Sequence, residues 1–110
     1  MDINFDQLVQ TLEGSVESLA KSTLQDYLSQ AKADGETVID SLKANLQQWT
    51  LELESGALNE EDLVDLLKEE AALDEMTALK QAGLAEVRID QFKSDLINMI
   101  TNTVFGLIKV

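Results

Sequence analysis

Between residues 89 and 107 the side chains of Ile89, Phe92, Leu96, Met99, Ile100, Thr103 and Leu107 return at intervals of three and four, and so share one helical face. Ile97, Val104 and Ile108 widen that face on one side. So broad an apolar surface needs cover from more than one direction, and the same period recurs upstream. Phe5, Leu8, Val9, Leu12, Val16, Leu19, Ala20, Thr23 and Tyr27 form a slowly drifting stripe. Asp2 or Asn4 is the expected cap of this first helix, and Asp34-Gly35 its expected end, since Gly suits the left-handed residue that closes a helix. At ~1.5 Å per residue such a helix is a rod of roughly 45 Å, the longest in the chain. Gly14 lies within it, as a candidate point of close approach by a neighbour.

A second helix is expected over residues 36–55, where Ile39, Leu42, Leu46, Trp49 and Leu53 make the seam of a coiled coil or antiparallel bundle and Gly56 closes the end. The clearest start signal follows. Asn59 caps, Glu60, Glu61 and Asp62 place negative charge on the first turn, and Leu58 staples against Leu63. The third helix opens with Leu63, Leu66 and Leu67, but Glu70 and Asp74 then take over that face while Leu73, Met76 and Leu79 emerge on others. One straight helix cannot hide both sets against one core, so a kink or break is expected near residues 69–71; contact with a second subunit is the other solution. Gly83 ends this segment, and the last helix is expected over residues 85–105, with Gly106 near its end.

These elements predict an all-α fold. It is a four-helix up-down antiparallel bundle of two helical hairpins, residues 4–55 and 59–107, in a single domain spanning residues 1–110. The second and fourth helices also align at a constant offset. Ile39-Asp40-Ser41-Leu42-Lys43 matches Ile89-Asp90-Gln91-Phe92-Lys93, Leu46 matches Leu96, Trp49 matches Met99 and Gly56 matches Gly106. Amphipathic helices align easily by chance, so the match supports the paired-hairpin layout and says nothing about chemistry.

Composition mainly removes possibilities. The 110 residues contain no Cys, His or Pro. Disulfides, thiolate chemistry, the usual general base and the commonest transition-metal ligand are therefore absent. Five glycines stand singly, like helix punctuation, so no phosphate loop can be written, and Asp34-Gly35 lacks the alternating oxygen ligands of a calcium loop. Glu70 with Asp74 is the pair for a carboxylate cation site, against the simpler account that the helix bends there and both acids reach water. Neither enzyme activity nor a cofactor is expected.

A formal charge of −13 repels nucleic acid and anionic lipid surfaces. Two acids stand in Met1-Asp2-Ile3-Asn4-Phe5-Asp6 where a secretory signal has a basic region, so a cytoplasmic location is expected. The leading expectation for function is a structural or protein-interaction module that self-associates or docks a partner helix. Trp49, Ile97, Val104, Phe105 and Ile108 are its candidate interface. Two alternatives stand beside it: a small molecule or lipid held inside the bundle among Trp49, Met76, Phe92 and Met99, and an acidic surface that binds a basic partner as an inhibitor or mimic. The acids for the latter are Glu60, Glu61, Asp62, Asp65, Glu69, Glu70, Asp74 and Glu75.

Overall fold

The computed structural model describes residues 5–108, with side chains described through Gly106. Its elements are all helical: α1 (Phe5–Thr23), a 3-10 turn (Gln25–Tyr27), α2 (Leu28–Ser55), α3 (Glu60–Lys68), α4 (Ala71–Glu75), α5 (Thr77–Gln81) and α6 (Glu86–Ile108). The all-α class is therefore correct, but the bundle is not built from four helices. Three long helices, α1, α2 and α6, pack on one another, and the short helices α3, α4 and α5 complete the enclosure, α3 against α6 and α4 and α5 against α2. The expected cap at Asp2 or Asn4 lies outside the described residues.

The first helix is shorter than its apolar pattern suggests. Buried Leu8, Leu12, Val16, Ala20 and Leu24 follow one another at four-residue steps. The helix nevertheless ends at Thr23, not at Ala33. The hydroxyls of Ser22 and Thr23 both donate to the Leu19 carbonyl, at 3.1 and 2.7 Å, which is the competition with backbone bonding that makes such residues poor helix propagators. Leu24 then leaves helical geometry at φ −134°, ψ 50° while staying buried, so it anchors the corner instead of extending the rod. The longest helix is consequently α2, with 28 residues and a length of ~42 Å, close to the 43 Å long axis of the molecule.

Asp34-Gly35, expected to stop a helix, lies in the interior of α2. Both residues are buried because each faces another element. A Cβ on Gly35 would overlap Cγ1 of Val16, so hydrogen in that place is what lets α1 and α2 run close together. Asp34 reaches toward α5, as described below. Gly14 has no such role: its face is open to solvent.

Local signals hold better further on. Gly56 closes α2 at φ 86°, with its N–H donating to the Leu53 carbonyl and that of Leu58 to Glu52. Asn59 and Asp62 then form a reciprocal capping box, Asp62 N–H to Asn59 Oδ1 at 2.9 Å and Asn59 N–H to Asp62 Oδ2 at 3.1 Å. The third segment breaks after Lys68, where Glu69 and Glu70 lead into α4, and a second time at Met76. Each fragment turns its own apolar residues inward: Leu63 and Leu67 from α3, Leu73 from α4, and Met76 and Leu79 around α5.

In α6 the fully buried line is Ile89, Phe92, Leu96, Ile100 and Val104, with Ile97, Met99 and Phe105 half-buried at its edges. Burial along α2 and α6 keeps the offset seen in the sequence. Ile39, Leu42 and Leu46 are buried like Ile89, Phe92 and Leu96, and Trp49 is half-buried like Met99. Gly56 and Gly106 differ, since the first ends its helix and the second lies within one. Among the described residues no helix is long and apolar enough to cross a membrane.

Candidate interaction surface on the third helix

The eight acids singled out in residues 60–75 do not form one surface. Five belong to α3 and its end: Glu60, Glu61, Asp62, Asp65 and Glu69, all exposed. Asp62 is occupied by the capping box. Glu61, Asp65 and Glu69 recur every fourth residue and make a ridge of like charge along the outer side of the helix, with Glu60 beside it. Among the described residues no base comes within ion-pair distance of these four.

The remaining three acids belong to the α4 segment and are used differently. Half-buried Glu70 accepts a hydrogen bond from the Ser41 hydroxyl of α2 at 2.6 Å. Asp74 lies 3.9 Å from Lys93 of α6, and its backbone carbonyl accepts from Lys80 Nζ at 2.7 Å. Glu75 is exposed. Glu70 and Asp74 thus turn to separate protein partners, and among the described residues no three carboxylates are grouped to hold a metal ion.

Two shallow depressions flank the α3 ridge. One, of about 490 Å3, is lined by Glu60, Glu61, Val64, Asp65 and Lys68. The other is lined by Leu58, Asp62, Asp65, Leu66 and Glu69. Asp65 belongs to both and separates them. Val64, Leu66 and Leu58 are each half-buried, so each depression combines acidic side chains with an apolar floor, and the first carries Lys68 as well.

The candidate apolar interface is dispersed. Val104 is 1% exposed and belongs to the core, so it offers nothing to a partner of the folded chain. Trp49, Ile97 and Phe105 are half-buried and pack against that core. The side chain of Ile108 lies outside the described residues. Among the described residues the large apolar side chains that do face water are Leu51 and Val87, one in the last turns of α2 and the other in the first turn of α6. Scattered single residues of this kind are ordinary on protein surfaces.

One polar cluster has no counterpart among the residues read from the sequence. Arg88 of α6 reaches the corner between α1 and α2 and binds Asp26 with both terminal guanidinium nitrogens, Nη2 at 3.0 Å and Nη1 at 3.2 Å, while lying 5.7 Å from the centre of the Tyr27 ring. The hydrogen bonds from Arg88 are the main reason the Asp26 carboxyl titrates below the ordinary aspartate range, and the guanidinium is raised in turn. This cluster fixes a corner and has the geometry of a clamp, and the depression beside it, lined by Thr23, Leu24, Arg88, Gln91, Phe92 and Asp95, is small, about 80 Å3. Its partners are 62 residues apart, and no local pattern could have joined them.

No protein-family model, curated protein or solved structure matches this chain.

Proposed function

We propose that the chain is a non-enzymatic protein-interaction module whose α3 face takes a basic, amphipathic helical segment of another protein. The observation that carries this reading is the unpaired ridge of Glu61, Asp65 and Glu69 set between two depressions with apolar floors. Like charges one turn apart destabilise the helix that bears them. A facing row of Lys or Arg would turn that repulsion into attraction, while apolar side chains of the same segment enter beside Val64 and Leu66. Self-association through this face would instead set acid against acid in a chain of charge −13. Binding of a small molecule or lipid in the interior has less support. Met76 and Phe92 belong to the buried core, whereas Trp49 and Met99 lie at its edge.

The test is fluorescence anisotropy of a labelled Lys/Arg-rich amphipathic helical peptide with the full chain. Saturable binding that weakens with added salt is expected. It should be abolished by Glu61→Lys, Asp65→Lys and Glu69→Lys together. Glu36→Lys, Asp40→Lys and Asp90→Lys together change net charge equally and should preserve it. Equal loss in the two triple variants would reduce the effect to bulk charge, and no binding by the unaltered chain would remove the proposal.

A further inference from the structure

Residues 70–82 are held differently from the rest of the molecule. The helices α4 and α5 have five residues each, far below the length at which a helix persists unaided. Between them Met76 sits at φ 36°, ψ 49°, the one non-glycine with positive φ among the described residues. That conformation is strained for a side chain of this kind. It also brings the chain into α5 with no capping side chain of its own.

The unsatisfied N–H groups at the start of α5 are answered from α2. Ala78 donates to Asp34 Oδ1 at 3.0 Å and Leu79 to Asp34 Oδ2 at 2.8 Å. Each oxygen of one carboxylate therefore takes one backbone donor, as an N-cap would, from 44 and 45 residues away. Two turns along α2, the Ser41 hydroxyl holds Glu70 at the other end of the segment. Val38, fully buried, lies between these two attachments on the same face of α2.

We infer that residues 70–82 form a latched strap, a segment that opens and recloses over α2 as a unit, with the Asp34 carboxylate as its latch, while α1, α2 and α6 stay folded. The chain has a pivot at each end of it. Glu70 adopts extended geometry, φ −69°, ψ 121°, between α3 and α4, and Gly83 stands at φ 84° beyond α5. Lifting the strap withdraws Leu73, Met76 and Leu79 from the core and relieves Met76 of its backbone strain. It leaves the contacts of α1 with α2, of α1 with α6 and of α2 with α6 in place. Asp34, freed of its two donors, then meets water, so opening does not strand a buried charge.

Native-state hydrogen exchange of the full chain, read by amide and repeated in low concentrations of urea, tests this. In the unaltered chain, amides of residues 71–82 are expected to exchange through an opening that depends on urea much less than the opening that exposes residues 8–20 and 92–104. Asp34→Asn keeps the shape and one acceptor but loses the charge. It should speed exchange in residues 71–82 by about tenfold or more and leave the two reference regions within about twofold. If residues 71–82 exchange only together with the long helices, with the same urea dependence, the strap does not exist as a unit. That measurement decides the matter without any variant. Equal acceleration of all regions by Asp34→Asn would show that Asp34 supports the whole fold and is no latch.

Discussion

At residue 35 a single hydrogen atom sets the distance between two helices. Alanine in its place would improve helix propensity by up to about 1 kcal/mol, but its methyl group would have to displace Val16, which is fully buried and restricted in rotamer by its branched Cβ. Overpacking of this kind costs about 1–3 kcal/mol, so Gly35→Ala should lower stability in urea unfolding by about 1–2 kcal/mol. In a Val16→Ala background the same change should be neutral or stabilising. An equal loss in both backgrounds would show that the Val16 contact is not the cause. Asp-Gly is a stop signal when only neighbouring residues are considered, because both residue types favour caps and turns. What overrides it here is Val16 on one side and the N–H groups of Ala78 and Leu79 on the other. Gly56 and Asn59 were legible for the opposite reason, since each is satisfied by groups within a few residues.

The corner between α1 and α2 shows how an element boundary is set from two directions. Ser22 and Thr23 weaken the helix locally, and Arg88 secures the new direction by holding Asp26 and covering Tyr27. Because the Asp26 carboxyl titrates below its ordinary value in the folded chain, its contribution is present above the unfolded aspartate pKa and is lost as pH falls through the lower, folded one. In a carboxyl 13C NMR titration Asp26 should show a midpoint below the ordinary aspartate value, and Arg88→Ala should return it there. An unchanged midpoint in that variant would remove the guanidinium as the cause. The break after Lys68 was legible because Glu70 and Asp74 occupy the positions an unbroken apolar face would need. The second break was not, since nothing about methionine announces a left-handed residue at position 76.

The chain carries 21 acids and eight bases, and the structure has extents of only 43 × 23 × 20 Å over its described residues. Among the described residues, the ion pairs Lys43 with Glu13, Arg88 with Asp26 and Lys93 with Asp74 join different elements, all at or near the surface, where each adds little. Mutual repulsion of the unpaired acids therefore opposes the compact state. The midpoint of thermal unfolding should rise from low salt to physiological ionic strength, where screening acts over about 8 Å. A midpoint that stays constant or falls would mean that repulsion is not a significant term. The concentration of acids in residues 60–75 was legible as a block of sequence. Its division was not, because Ser41 and Lys93, which engage Glu70 and Asp74, come from other helices.

The Arg88 clamp also bears on the order in which a newly made chain can mature. Synthesis delivers Asp26 long before Arg88, and Asp34 long before Ala78 and Leu79. During translation the amino-terminal pair of helices therefore waits, its bend untied and one inward-facing carboxylate unanswered, for counterparts still to be polymerised. Maturation of the first half is completed by the last, so a ribosome-bound fragment ending before residue 88 should remain in exchange among loosely packed arrangements.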